Sequence, residues 1–190
     1  MFLYNKRPVL YCNSYKYLGC YINEYLEYSY TAQMQADSAG RALSLLISKM
    51  IKNKGFPFSV FSKLYQACIC SISLYGGEVF GYNRYDSLLN LHLRATRAFL
   101  GLPKNTATFG LISELNWLLP HFSAQVKIVQ HFGRVLGISD TRMIKKVYTW
   151  DYRLNSMEKI KTWSSEVWAI LRESNCHSPT TTTTPTTKQP

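Results

Sequence analysis

The side chains that could ligate a metal or act as nucleophile and base are few and scattered in this chain. The five cysteines form no Cys-x-x-Cys pair, and the four histidines lie far from them in the sequence. The cysteines are Cys12, Cys20, Cys68, Cys70 and Cys176. The aspartates stand singly, no glycine-rich phosphate loop occurs, and His92, His121 and His131 are interpreted as core or surface residues. We therefore predict no catalytic site, no metal site and no cofactor.

Basic side chains are the other residues that could do chemistry here, by binding phosphate. Lys and Arg number 22 against 11 Asp and Glu, which gives a formal net charge of +11. Such an excess favours a polyanionic partner such as nucleic acid or anionic lipid. Arg41, Lys49 and Lys52 fall on or beside the polar side of one predicted helix, where Ser44 and Ser48 could also donate to phosphate. The alternative interpretation of these five residues is an ordinary solvated face.

Two kinds of periodicity predict the elements that position these residues. The runs "PVLYC" and "YKYLGCYI" alternate like strands and predict a β-hairpin with its turn at Asn13-Ser14. From Ser29 onward the period becomes 3.6, which predicts a helix capped by Thr31 or Ser29 and ended by Gly55. Its apolar stripe consists of Ala36, Ala39, Leu43, Leu46, Ile47 and Met50.

The rest of the chain continues in helical patterns. A second helix follows Pro57, and a third runs from about Tyr85 to Leu100, with Arg94 and Arg97 on its polar face. Further helices are predicted at about 109–115, 121–136, 141–150 and 157–173. The predicted fold class is therefore mainly α, with an N-terminal β-hairpin and a disordered tail.

The chain ends in "HSPTTTTTPTTKQP", a Thr/Pro-rich tract with too few apolar residues to order itself. The longest uncharged run, between Lys63 and Glu78, is too short to cross a bilayer, which needs about 20 apolar residues. Lys6 and Arg7 lie where a secretory signal would need its apolar core. We expect no membrane association and an intracellular protein, nuclear or cytoplasmic and not secreted.

Four motifs combine into a recognisable order. They are "YKYLGCYINEYLEYSYTAQMQADSAGRALSLLISKM", "KLYQACICSISLYGGEVFGY", "RATRAFLGLPKNTATFGLISELNWLLP" and "KKVYTWDYRL". In order and spacing they resemble the region after the polymerase active site in non-LTR (LINE-type) retrotransposon reverse transcriptases. The resemblance covers about residues 8 to 173. Its most specific parts are the aromatic-Leu-Gly hairpin, the "AGRAL" helix, and "RAFLG" followed by "ELNW" and Pro120.

The resemblance implies a domain organisation. It implies a palm-end primer-grip hairpin at 1–28, a thumb-like helical bundle at 29–104, connecting helices at 105–173 and a disordered tail at 174–190. The family's aromatic-Ala-Asp-Asp turn, which carries the catalytic carboxylates, has no counterpart in this sequence. As this chain, the protein is expected not to be an enzyme.

The resemblance also implies a partner and the residues that bind it. The partner is an RNA/DNA template-primer duplex, bound weakly and without sequence preference. The implied binding residues are Tyr17, Leu18 and Gly19 of the primer grip, and Arg41, Lys49, Lys52, Arg94 and Arg97 of the helices. Gly19 lacks a Cβ, which lets a backbone approach closely. Two alternatives remain open. In one, Tyr17 and Leu18 are simply the two faces of an edge hairpin. In the other, the whole chain is a helical protein-interaction module with a basic surface and no nucleic-acid role.

Overall fold

The computed structural model describes residues 3–4, 7–8, 11–158 and 160–174, and these residues are mainly helical. The predicted fold class, mainly α with an N-terminal β-hairpin, is confirmed. The predicted tail at 174–190 lies outside the described residues apart from Ser174. The chain divides into two compact units, Met1–Val126 and Lys127–Pro190. This division falls within a helix, at none of the boundaries expected from the sequence.

The strands of the first unit form two antiparallel pairs. β1 (Leu3–Tyr4) pairs with β2 (Arg7–Pro8), and β3 (Ser14–Tyr17) pairs with β4 (Cys20–Asn23). The hairpin turn predicted at Asn13-Ser14 is wrong, because Ser14 pairs with Asn23 and the Asn13 carbonyl accepts from the Glu24 N–H at 3.0 Å.

The turn of the β3–β4 hairpin lies at Leu18-Gly19. Both residues have positive φ, 47° for Leu18 and 91° for Gly19. Two consecutive positive φ values give a two-residue turn whose twist matches that of the flanking strands. A leucine is an unusual first residue for such a turn, which is why the sequence did not point to it.

Helix α1 (Tyr28–Lys52) carries the predicted apolar stripe on its inner face. Ala36, Ala39, Leu43 and Met50 of the stripe are buried. The predicted cap is wrong, because Glu27 is the N-cap residue and makes no side-chain cap hydrogen bond. Thr31 lies inside the helix instead, where its buried hydroxyl donates to the Tyr21 carbonyl and ties the hairpin to α1.

The first unit contains further helical segments after α1. They are α2 (Phe58–Leu64), a π-helical segment Tyr65–Cys70, α3 (Ser71–Ser73), α4 (Gly77–Phe80), α5 (Asp86–Leu100) and α6 (Thr108–Glu114). One cluster of buried side chains joins α1, α2, the π-helical segment and α5. It consists of Ala39, Leu43, Met50, Phe61, Tyr65, Ile69, Leu91 and Ala95. This core fixes α1 and α5 side by side.

The second unit contains the last part of α7 (Pro120–Gly137), α8 (Met143–Glu158) and α9 (Trp163–Glu173). The Phe132 ring meets the rings of Tyr148 and Trp168 edge to face, with centroids 5.8 and 5.5 Å away. Asp151 Oδ2 accepts the Ser164 N–H at 3.0 Å, at the start of α9. These contacts turn one side of α8 inward. No helix within the described ranges is long and apolar enough to cross a membrane.

Candidate nucleic-acid interface

The cationic side chains of α1 lie on its solvent-facing side. Arg41, Lys49 and Lys52 are all exposed. At about 100° per residue, the three fall within an arc of about 80° on the helix surface. At about 1.5 Å per residue, Lys49 lies about 12 Å and Lys52 about 16 Å along the axis from Arg41. The three cations therefore form one strip along the second half of α1, interrupted by the exposed Leu45.

A groove of about 470 Å³ runs beside this strip, between α1 and α5. Arg41 lines it from α1 and Arg94 from α5. Its other lining residues are Gln33, Ala36, Asp37, Gly40, Ser44, Ser87, Asn90 and Leu91. The two arginines come from separate helices, and no local sequence pattern predicts that they share one groove.

A short hydrogen-bond relay holds Arg94 against α1. Arg94 Nη2 donates to Ser44 Oγ at 2.8 Å, and Ser44 Oγ donates to the Gly40 carbonyl at 2.8 Å. A Cβ at position 40 would come within 3.9 Å of both Leu91 Cδ1 and Arg94 Nη1, so the helices pack closely here. Since a guanidinium has five N–H donors, Arg94 keeps donors for a ligand while one is used for positioning.

The charged side chains of this surface are mostly cationic. Across the described ranges, a single ion pair lies within 4 Å, Lys161 with Glu166, and it belongs to the second unit. Arg41 Nη2 donates to the Ser38 hydroxyl at 3.0 Å, and no carboxylate of the described residues lies within 4 Å of its guanidinium. The carboxylate in the groove, Asp37, accepts from Gln33 Nε2 at 2.9 Å. A cationic strip that meets a groove with several polar donors is suited to phosphate oxygens.

Arg97 is placed differently from the other predicted binding residues. Its guanidinium is half-buried, and its Nη2 donates to the Thr106 carbonyl at 3.3 Å. Its buried Nε has no hydrogen-bond partner among the described residues. Arg97 thus faces the loop after α5 and not the groove, and its role in binding nucleic acid stays a prediction.

The tip of the β3–β4 hairpin is exposed, and its backbone is hydrogen-bonded to α1. Tyr17 and Leu18 have 58% and 74% of their side-chain surface exposed. The Gly19 carbonyl accepts from Gln35 Nε2 of α1 at 3.1 Å, and a Cβ on Gly19 would lie 3.2 Å from the Tyr75 ring. The missing side chain of Gly19 therefore admits a neighbouring tyrosine of this chain.

Apart from Arg97, the predicted binding residues thus form two end groups, the hairpin tip and Lys49 with Lys52, and a pair between them. The hairpin tip is tied to Gln35 in the first half of α1, whereas Lys49 lies 14 residues further on, about 21 Å at about 1.5 Å per residue. Arg41 and Arg94 lie between these two ends, on and beside α1. A ligand that reached both groups would have to be extended, as a nucleic-acid strand is.

A buried aromatic and histidine cluster behind the interface was not recognised from the sequence. The Tyr65 hydroxyl and His92 Nδ1 share a hydrogen bond of 2.9 Å. Burial lowers the pKa of His92 to about 4 and raises the pKa of Tyr65, so both are neutral at pH 7. His92 lies one turn after Leu88 and one turn before Ala95, on the buried side of α5, and that spacing was the available signal. Of the two interpretations of His92 from the sequence, a core or a surface residue, the structure shows the core residue.

Over the part of the chain that the structure describes, no group of three or more His, Cys, Asp or Glu side chains could hold a metal ion. Comparison with models of protein families, with curated proteins and with solved structures gives no match. The similarity to non-LTR reverse transcriptases therefore rests on the four motifs quoted above.

Proposed function

We propose that this chain corresponds to the segment of a non-LTR retrotransposon reverse transcriptase from the primer grip through the thumb into the connecting helices. In this proposal it binds template-primer nucleic acid without sequence preference. The observation that carries the proposal is that Arg41 and Arg94 line one groove, while Lys49 and Lys52 lie beyond its end on the same side of α1 as Arg41. Phosphate contacts supply most of the sequence-independent affinity of proteins for nucleic acid, and this surface offers cations at several points along one line.

The binding is proposed to be weak. Arg41, Lys49 and Lys52 neutralise about three phosphates, and each contributes a slope of about −0.9 in log affinity against log salt on B-DNA. The expected slope is therefore roughly −3. We expect a Kd in the micromolar range or weaker at physiological salt, since specific contacts to base edges are not part of the proposal.

A triple substitution tests the placement of the duplex. Arg41→Gln, Lys49→Gln and Lys52→Gln together keep helix propensity and remove three charges. Binding of a fluorescent RNA–DNA duplex, followed by anisotropy across a salt series, should weaken at least tenfold, and its salt slope should fall toward zero. The matched control replaces three exposed cations elsewhere in the first unit, Lys63, Arg84 and Lys104, by Gln.

The control removes the same net charge, so it separates local contacts from the general attraction of a basic protein. Equal losses in the two triple variants would show that the duplex does not lie on α1. An additional Arg94→Gln substitution should weaken binding further if the groove takes part. The aligned α1 strip would then account for most of the affinity, with the groove contributing the rest.

We further propose that the chain by itself does not polymerise DNA. Two-metal phosphoryl transfer needs closely placed carboxylates, and the sequence contains no Asp-Asp pair. Purified protein with Mg²⁺ or Mn²⁺ and a primed homopolymer template should give no primer extension above background. Extension that persists through ion-exchange and size-exclusion steps, in proportion to this protein, would contradict the proposal.

The second candidate is a helical protein-interaction module with a basic surface, and competition separates it from the first. Unrelated RNA or DNA duplex should compete fully for the duplex-binding site, because the phosphate backbone is common to all of them. A protein site on the same surface would instead be blocked only by its own partner.

A further inference from the structure

Helix α8 carries an exposed apolar seam that the proposed function does not use. Met143, Val147, Trp150 and Met157 have 74%, 53%, 63% and 81% of their surface exposed, and Leu154 is half-buried. The five positions are spaced by four, three, four and three residues. This spacing averages 3.5 residues, the repeat with which one helix packs along another in a coiled coil.

The width of this seam indicates which kind of partner it fits. At about 100° per residue, the five side chains lie within an arc of about 80°. Helices that lie in a membrane interface present a broad apolar face, and so do helices that cover a globular core, where the stripe is about 100° or wider. Ile144, which is 40% exposed, widens the seam in the first turn of α8, but from Val147 to Met157 the seam stays narrow and matches the surface of a single helix.

The flanks of the seam are electrostatically unequal. Lys146 and Arg153 are exposed along one flank, two turns apart. On the other flank Asp151 is half-buried, and its Oδ2 already accepts the Ser164 N–H at the start of α9. The flank that is available to a partner is therefore cationic.

These charges disfavour a second copy of this chain as the partner. An antiparallel pair of α8 helices would bring the Lys146 and Arg153 flanks of the two copies together, and like charges there repel. A parallel pair would instead need Asp151 to face Lys146 of the other copy, although that carboxylate is engaged with α9. A helix of opposite flank charge satisfies both the apolar seam and Lys146 and Arg153.

We propose that the α8 seam docks an amphipathic helix of another protein whose own apolar seam is flanked by Glu or Asp. Trp150, at the centre of the seam, supplies the largest apolar contact, as aromatic residues commonly do at the centre of interfaces. Lys146 and Arg153 pair with the acidic flank and set the orientation of the partner. This proposal does not depend on nucleic-acid binding by the first unit.

The test uses the full chain and synthetic helical peptides of known sequence. The probe has Leu and Ile at the two seam positions of three heptads and Glu at the flanking positions. One comparison peptide carries Lys at those flanks, and another has the composition of the probe in scrambled order. Fluorescence anisotropy should show binding of the Glu-flanked probe at least tenfold tighter than binding of either comparison peptide.

Substitutions on α8 assign the binding to the seam. Trp150→Ser should weaken binding of the Glu-flanked probe at least tenfold. The pair Lys146→Glu and Arg153→Glu should reverse the preference, so that the Lys-flanked peptide binds better. Phe109→Ser, at a side chain that is 88% exposed on α6, is the matched control and should leave binding unchanged. Circular dichroism confirms that each variant folds.

Three outcomes would overturn the proposal. Equal binding of the ordered and scrambled probes would mean a general attraction to negative charge. Concentration-dependent dimers that disappear in Trp150→Ser would identify a second copy as the occupant. Binding to phosphatidylserine vesicles that depends on Trp150, without binding of the ordered probe, would identify a lipid surface.

Discussion

The indole ring of Trp117 lies parallel to the phenol ring of Tyr65, with the two centroids 4.2 Å apart and 2° between the planes. Trp117 Nε1 also donates to Ser62 Oγ at 3.1 Å, and the His92 ring meets the indole edge to face. One side chain thus fastens the segment after α6 to α2, to the π-helical segment and to α5. This packing lies directly behind the α1–α5 pair that forms the groove.

Replacing Trp117 should therefore destabilise the first unit. We expect Trp117→Ala to lower the free energy of unfolding by about 3 kcal/mol, since aromatic-to-alanine changes in packed sites lose both contact area and cavity-lining contacts. Trp117→Phe keeps a ring on Tyr65 and loses the hydrogen bond to Ser62, so about 1 kcal/mol is expected. Urea unfolding followed by circular dichroism measures both, and a loss below 1 kcal/mol for Trp117→Ala would contradict the packing role.

The buried His92 should make the stability depend on pH. The folded state keeps His92 neutral with its pKa lowered to about 4, whereas the unfolded chain binds a proton near the ordinary value of about 6.5. Between these values the unfolded state holds more protons, so the free energy of unfolding falls as the pH is lowered from about 6.5 toward 4. By pH 5 the expected loss is about 2 kcal/mol.

A variant without the imidazole tests the origin of this pH dependence. His92→Gln cannot take up a proton in this range, so the slope of unfolding free energy between pH 6.5 and pH 4.5 should become shallower than in the unsubstituted chain, whatever its overall stability. Thermal or urea unfolding at several pH values supplies the comparison. An unchanged slope in His92→Gln would assign the titration to another group.

Two glycines of the first unit should respond to alanine in opposite directions. A Cβ at Gly40 meets nothing closer than 3.9 Å, and glycine within a helix is about 0.8–1 kcal/mol less favourable than alanine. We therefore expect Gly40→Ala to stabilise by about 0.5–1 kcal/mol. A Cβ at Gly81 would lie 2.4 Å from both Ala124 Cβ and the Gly77 carbonyl oxygen, so Gly81→Ala should destabilise by about 2 kcal/mol. Thermal unfolding of the two variants and the unsubstituted chain, measured in parallel, checks the sign of each stability change.

The strained turn residue Leu18 offers a test of the hairpin tip. Its φ of 47° is a conformation that asparagine adopts more readily than leucine, and its side chain is 74% exposed. Leu18→Asn should raise the stability by about 0.5–1 kcal/mol. Leu45→Asn, at an exposed helical position, should instead lower it slightly, because asparagine is the poorer helix former. If the tip contacts nucleic acid, Leu18→Asn should also weaken duplex binding while it stabilises the fold.

The sequence predicted those features that depend on local patterns. The apolar stripe of α1 was identified because a 3.6-residue period is visible within the helix itself, and Ala39 and Leu43 are fully buried as expected. The hairpin turn was misplaced because Leu18 carries no turn signal, while Asn13-Ser14 does. The π-helical segment Tyr65–Cys70 lies in a run that reads as an ordinary helix.

The candidate interface was only partly predictable for a different reason. The residues Arg41, Lys49 and Lys52 share one helix, so their common face followed from their spacing. The hydrogen bond from Arg94 to Ser44 joins residues 50 positions apart, and the one from Trp117 to Ser62 joins residues 55 apart. Such contacts depend on how helices pack, which no local pattern encodes.

The difference in sequence separation between contacts on α1 bears on the order in which the first unit folds. The hydrogen bonds from Thr31 to Tyr21 and from Gln35 to Gly19 close loops of 10 and 16 residues, whereas the one from Arg94 to Ser44 closes a loop of 50. Loop-closure entropy rises as about (3/2)RT ln n, so docking the hairpin on α1 costs about 1 kcal/mol less than docking α5. During synthesis the hairpin and α1 also leave the ribosome before α5 does. We expect the hairpin–α1 pair to fold first. Helix α5, which forms the second wall of the groove, then docks onto this pair.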